Sequence, residues 1–284
     1  MRVLITGAGG QLGTDVARCC TDAGDVVFAV GHRDLDVTSR DEVHGALSSL
    51  RPDAVINCAA WTAVDDCESD PSRALANNGL AVRWMAEACE HAGARLLQIS
   101  TDYVFDGLLD RPYVESDQPS PQCVYGASKL VGETEALALG TGATIVRTAW
   151  VCSRHGSNMV KTIMRLAGQH DELAFVDDQV GNPTFTSDLA PMIRRLAIDG
   201  RSGIHHVTNQ TSTSWYGFAR EVVAAMGKDP EMVRPIKTAE LDPPRAARRP
   251  ANSVLDNAVL RAAGLPLLRD FIEPLRETVA ALTH

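Results

Sequence analysis

The sequence predicts an α/β protein: a Rossmann-type doubly wound parallel sheet with a smaller C-terminal substrate-binding region. Two observations carry this. Short, nearly unbroken apolar runs alternate with helix-period segments through the first half, the pattern of strands buried on both faces. A glycine-rich turn, ITGAGGQLG (5–13), follows the first run directly and opens a helix.

The elements follow in order. Val3-Leu4-Ile5 is a first strand, the glycine turn comes next, and a helix covers about 11–22. Val26–Val30 reads as a second strand, 39–50 as a helix and Ala54-Val55-Ile56 as a third strand. A longer helix over 72–92 places Leu75, Gly79, Val82, Ala86 and Cys89 at three- and four-residue spacing, and Gly93 can end it. A strand at 95–99, a helix at 124–139 and a strand at 144–146 complete the regular half. After Trp150 the pattern loosens. A helix is expected at 158–167, a short strand feeding a helix at 184–195 and a strand at 203–207. The segment DPPRAARRPANS (242–253) has too many prolines for a regular element. The expected division is a dinucleotide-binding domain over 1–151, to which the chain returns at about 181–208, and a substrate region from 152–180 and 209–284.

Composition bounds the function. Among 284 residues 45% are hydrophobic, enough for a packed core without staples. A net charge of −9 argues against a nucleic-acid partner, which needs a basic face. The 7 cysteines are odd in number and include no Cys-x-x-Cys pair, so neither a disulfide framework nor a structural zinc site is expected. Cys20, Cys58 and Cys89 read as small buried hydrophobes. No run is long enough for a membrane span, and a first strand beginning at Arg2 leaves no room for a signal peptide, so a cytoplasmic protein is expected.

Gly7, Gly10 and Gly13 stand where backbone must approach a pyrophosphate closely and where a helix N-terminus offers free N–H groups. A plain tight turn would use glycine too, but the first βα junction is where a dinucleotide binds. The second strand ends Val30-Gly31-His32-Arg33, with no acid at its tip to hold both ribose hydroxyls. Gly31 leaves room and Arg33 offers a donor fork to a 2′-phosphate, while Asp34 and Asp36 work against it. NADPH is therefore the expected cofactor, with NADH also accepted.

VYGASK places Tyr125 and Lys129 four apart, on one helix face. A nearby ammonium favours phenolate, so the phenol, ordinarily at about 10, is expected to be lowered. The strand before this helix ends STDYVFDG (100–107), a hydroxyl, a carboxylate and a phenol at one tip.

Glycine turn, strand-tip hydroxyl and Tyr-x-x-x-Lys together resemble the extended short-chain dehydrogenase/reductase superfamily. With INCAAWTAVDDCES (56–69), RTAWV (147–151), DDQVGNPT (177–184) and RPANS (249–253), the chain resembles more closely its dTDP-4-dehydrorhamnose reductase family, along essentially its whole length. The resemblance implies NADPH-dependent reduction of the C4 ketone of a dTDP-6-deoxy-4-keto-hexose. Tyr125, Lys129 and Thr101 would be catalytic, Thr101 hydrogen-bonding the substrate carbonyl. Gly10, Gln11 and Leu12 would meet the pyrophosphate, Asp36 and Val37 the adenine, and Ala59, Ala60, Trp61 and Thr62 the nicotinamide side. Thr101, Asp102, Tyr103 and Trp150 would contact the sugar, and Arg249 its diphosphate. A homodimer fits the resemblance.

Two departures stand near the expected pocket: Cys152, where relatives often carry tyrosine, and Trp61, where smaller or imidazole side chains are common. Asp15 matches one metal-ligand position of some relatives, but no further ligand is identifiable and no metal is expected. His205-His206 should send one ring to the core and one to solvent. Asp65-Asp66-Cys67-Glu68 reads as an acidic helix start. Two other functions remain open: another dTDP-4-ketosugar reductase, of secondary metabolism, and a non-catalytic regulatory subunit that keeps the fold.

Overall fold

The computed structural model describes residues 1–138 and 142–283. Strands β1 (Arg2–Thr6), β2 (Val26–Val30), β3 (Ala54–Asn57), β4 (Arg95–Thr101) and β5 (Thr144–Thr148) join the later strand Gly203–His206 in one parallel sheet. Its order is Gly203–His206, β5, β4, β3, β1, β2.

Alternation along each strand feeds two cores, one per face. Val3 and Ile5 of β1, Ile56 of β3, Leu97 of β4 and Val146 of β5 pack beneath helix α1 (Gln11–Asp22) and the helix Thr186–Asp199. Leu4, Val55, Leu96 and Ile145 face the other way, against helix α2 (Arg40–Leu50) and the helix Ala81–Ala92. Each fully buried side chain of this size contributes about 1.5–3 kcal/mol. A third cluster lies apart from both faces and gathers Cys152, Ile163, Phe185, Phe218, Phe271 and Leu275.

The expected helix over 72–92 is three pieces: an α turn at Pro71–Leu75, a π-helical turn at Ala76–Leu80 and an α-helix at Ala81–Ala92 ending at Gly93. The π turn swings Asn78 inward, where it is buried and bonded to another element. Leu75, expected on the apolar stripe, is 39% exposed. The expected helix over 124–139 is described from Val124 to Ala138; residue 139 lies outside the described residues. No element covers 242–253.

The His205-His206 expectation is corrected. Both rings are buried, because loops cover the outer edge of their strand. His206 N–H donates to Glu115 Oε1 at 3.0 Å, and its Nδ1 lies 3.1 Å from the carbonyls of Tyr113 and Asp256. Burial pushes its ring down to about 3, so it stays neutral.

Candidate active site

β1 ends in the glycine turn, and Gly7 takes φ 63°, a left-handed conformation glycine adopts without strain. A Cβ on Gly7 would sit 2.7 Å from the Ala59 nitrogen, and one on Gly13 would sit 2.2 Å from the Gly7 carbonyl oxygen. Only hydrogen fits at either place. α1 then starts with no side chain capping it and no acid in its first turn. Its free N–H groups and positive dipole end face a groove, an arrangement made for an anion such as a pyrophosphate. The residues present therefore fit a dinucleotide.

The groove has two halves that share Gly10, Cys58, Ala59 and Ala60. One, of about 380 Å³, reaches Thr101, Tyr125, Lys129 and Trp150. The other, of about 450 Å³, reaches Gly31, His32, Val37, Trp61 and Arg73 beside the tip of β2. Gln11, Leu12 and Thr62 line the first half, as do Asp102 and Tyr103.

β4 runs two residues past its expected end, and this extension carries Thr101 to the groove. Beneath it a chain of buried polar groups crosses the sheet. Thr6 donates to Asn57 Oδ1 at 2.5 Å, Asn57 Nδ2 to Gln98 Oε1 at 2.6 Å, and Gln98 Nε2 to the Ile99 carbonyl at 2.6 Å. Lys129 Nζ donates to the same carbonyl at 2.6 Å. Burial lowers the Lys129 ammonium to about 8, opposed by the charge of Glu133 one turn on.

The phenol of Tyr125 departs from expectation. Burial first, and the neighbouring Asp102 carboxylate second, push it above the ordinary tyrosine value rather than below it. The charge of Lys129, one turn on, does not offset this. A phenol that keeps its proton suits a proton donor. Tyr103 stacks edge-on against the Tyr125 ring, centroids 5.6 Å apart at 76°.

Thr101 also departs. Its hydroxyl donates to Asp102 Oδ1 at 2.9 Å and accepts from Tyr103 N–H at 3.2 Å. That one proton points at the carboxylate, and reaching a substrate carbonyl requires the hydroxyl to rotate. Asp102 is 2% exposed and its Oδ2 has no partner among the described residues. Ser253 Oγ donates to Val180 O at 3.4 Å. Burial raises the Asp102 carboxyl to about 6.

The Tyr–Lys helix is tied to the loop after β3. Asn78 accepts from Trp61 N–H at 2.8 Å and donates to Trp61 O and to Ser128 Oγ, both at 3.0 Å. Ser128 in turn donates to Tyr125 O at 2.8 Å. Behind the strand tip, Ser100 donates to Glu133 at 2.5 Å, and Arg147 grips both Glu133 oxygens at 2.9 and 2.6 Å.

Trp150 walls the catalytic half and stacks flat on Trp215, centroids 3.6 Å apart at 5°. Its φ is 43°, a conformation rare for a bulky side chain and held by its surroundings. A Cβ on Gly181 would come within 2.6 Å of its ring.

Several expected placements are corrected. Trp61 lines the β2 half and not the catalytic half, because the loop after β3 turns its ring outward under the Arg73 guanidinium, 4.4 Å away. Arg33 and Asp36 are not among the lining residues: Arg33 stands exposed in the turn. The Asp36 carboxylate accepts from Thr38 N–H at 2.9 Å and Thr38 O–H at 2.7 Å. Cys152 faces away from the catalytic half, with burial pushing its thiol to about 12. Cys58 is only half-buried and lines both halves.

Arg249 lies in a neighbouring cleft with Arg245 and Arg248. Its fork takes Asp65 at 2.5 and 2.7 Å, which holds that carboxyl at about 2. Asp65 does open a helix, Val64–Ser69, as expected of the acidic cluster. Asp15 accepts from Thr186, and from Arg18 at 2.9 Å. No group of three or more His, Cys, Asp or Glu placed to hold a metal is found among the described residues.

Sequence reading missed Asn57, Asn78, Gln98, Ser128, Glu133 and Trp215. For Asn57 and Gln98 a signal existed, an amide inside an apolar strand.

A glycine-cradled groove at the carboxyl ends of a parallel sheet, with Thr101, Tyr125 and Lys129 converging on it, defines a short-chain dehydrogenase/reductase of the extended kind. The chain belongs to the family described as RmlD substrate binding domain, which matches residues 1–284. It is 44% identical over 100% of its length to a dTDP-4-dehydrorhamnose reductase of Streptomyces griseus, covering 92% of that protein. It is 40% identical over 100% of its length to a dTDP-4-keto-6-deoxy-D-glucose reductase of Streptomyces niveus, covering 96% of it. The crystal structure of dTDP-4-dehydrorhamnose reductase from Bacillus anthracis in complex with NADP superposes with a TM-score of 0.92 at 35% identity, covering 99% of this chain and 98% of that one.

Proposed function

We propose that this protein reduces the C4 ketone of a dTDP-6-deoxy-4-keto-hexose with NADPH, NADH also being accepted, and that its substrate is dTDP-4-dehydro-L-rhamnose. The observation that carries the reading is the meeting of Thr101, Tyr125 and Lys129 at one end of a groove whose floor is the glycine turn. The names of the relatives supply the sugar. The reading takes 1–151 with 181–208 as the cofactor domain and 152–180 with 209–284 as the substrate region. It also takes the protein as a cytoplasmic homodimer; no helix among the described residues is long and apolar enough to cross a membrane.

A bound reduced nicotinamide supplies the hydride. The rest falls to this chain. Tyr125 gives its proton to the ketone oxygen as the carbon becomes tetrahedral. Thr101, once its hydroxyl rotates off Asp102, donates to the same oxygen. Asp102 and Tyr103 face the sugar, and Lys129 holds the cofactor ribose from the floor. Arg249, steadied by Asp65, and its neighbours Arg245 and Arg248 form a cationic cleft for the nucleotide diphosphate.

Incubating the protein with dTDP-4-dehydro-L-rhamnose and NADPH, and following nicotinamide absorbance, tests this. Oxidation of NADPH with formation of dTDP-L-rhamnose is expected. Turnover of dTDP-4-keto-6-deoxy-D-glucose instead would favour the second reading, which the Streptomyces niveus relative supports. No turnover of any such sugar would leave a regulatory subunit.

The Trp150 wall gives a further expectation. Its ring and that of Trp215 form an apolar plate against which the sugar's 6-methyl can rest. Trp150→Ala should lower kcat/KM by about 2–4 kcal/mol in transition-state terms. If Trp150 serves only packing, the melting temperature falls while kcat/KM of the folded fraction is unchanged.

A further inference from the structure

The β2 half of the groove has one permanently charged side chain among its described lining residues, and it comes from a different segment than Arg33. Arg73 sits in the short helix Pro71–Leu75 and reaches back over the groove. Arg73 is exposed, but its guanidinium lies over the Trp61 ring at 4.4 Å, a contact that biases its orientation toward the groove before anything binds. Its backbone N–H donates to Asp70 Oδ1 at 3.0 Å and its carbonyl accepts from Asn77 at 2.9 Å, yet among the described residues its guanidinium has no carboxylate partner. An exposed guanidinium without a carboxylate partner, in the same half of the groove as Gly9 and Gly10 before α1, is free to take an anion.

The acids near the tip of β2 are otherwise engaged. Asp36 is turned onto Thr38. Asp34 Oδ2 accepts from Gly31 N–H at 2.8 Å, which anchors it but keeps a negative charge close to the groove. The end of β2 is where the adenosine ribose of a dinucleotide lies. Asp34 repels a phosphate there and Arg73 attracts one, so the preference rests on their balance.

We propose that Arg73, held on Trp61, is the cation that recognises the adenosine 2′-phosphate and so selects NADPH over NADH. This rests on the reading that the groove takes a nicotinamide dinucleotide.

Isothermal titration with NADPH and with NADH, in the absence of sugar, tests it. The wild-type chain should bind NADPH about tenfold more tightly. Arg73→Ala should erase that ratio and leave NADH affinity within about twofold, while Arg73→Lys, which keeps the charge without the planar stack, should recover part of it. Circular dichroism should show all variants folded. The assignment is overturned if Arg73→Ala keeps the tenfold ratio, if it weakens both cofactors equally (stacking on adenine instead), or if Arg33→Ala erases the ratio. A wild-type chain that binds neither dinucleotide overturns the reading of the groove itself.

Discussion

Tyr125→Phe should lower turnover by about 10²–10⁴ while cofactor affinity stays near the wild-type value. The substitution removes one oxygen and keeps the ring, so the edge-on contact with Tyr103 and the backbone tie to Ser128 both persist. What goes is the proposed proton donor. Its loss is severe because the other hydroxyl at the strand tip, Thr101, has its one proton directed at Asp102, and an alcohol is a weaker acid than a phenol. Steady-state turnover with the 4-keto sugar, set beside the dinucleotide dissociation constant, reads both halves. A variant that keeps more than half of wild-type turnover would remove Tyr125 from the chemistry.

Glu133→Gln should cost about 3–5 kcal/mol of folding stability, the range for breaking a buried ion pair from one side. Glu133 and Arg147 are 2% and 1% exposed, and the variant leaves the Arg147 guanidinium charged without its counter-charge. Arg147 also lies over the Phe105 ring at 5.1 Å and has one nitrogen without a partner, so it has no second anion to turn to. Urea unfolding measures the loss, and a change below about 1 kcal/mol would show that the pair is dispensable. The double variant Glu133→Leu with Arg147→Met should recover much of the stability, since apolar groups of similar volume replace both charges. It should not recover activity. Ser100 loses the acceptor that ties the β4 tip to the Tyr–Lys helix, and Thr101 is the next residue.

The parts legible in the sequence are those that local geometry dictates. The glycine turn reads plainly because Gly7 and Gly13 are required by contacts within the first βα unit and its immediate neighbour strand. Tyr125 and Lys129 share a face because helix periodicity puts them there. The strands read well because each carries a short, mainly apolar run. The misplaced residues depend on distant packing. Arg33 follows the tip of β2 in sequence but stands exposed in a turn, and Arg73 reaches that half of the groove from forty residues further along the chain. Cys152 comes two residues after Trp150, and alternation within the strand Val151–Cys152 puts Val151 on the catalytic half and Cys152 on the opposite side. His205 and His206 looked like an alternating pair, yet the loops carrying Glu115 and Asp256 cover the strand's outer edge and enclose His206. The π turn at Ala76–Leu80 leaves no mark in a periodic pattern, and its purpose, bringing Asn78 to Trp61 and Ser128, is visible only once both partners are in place.

The flat pairing of Trp150 and Trp215 also gives the protein an optical handle. Of its 4 tryptophans, these two and Trp61 stand on the groove, and only Trp84 belongs to a helix away from it. Two indoles in such close parallel contact couple their excited states and shape the near-ultraviolet dichroism of the whole chain. Reduced nicotinamide absorbs where indole emits, so a dinucleotide in the groove drains the fluorescence of three of the four rings at once. Occupancy by cofactor and by sugar can thus be followed separately in the unlabelled protein, the first through energy transfer and the second through the dichroic signature of the paired rings.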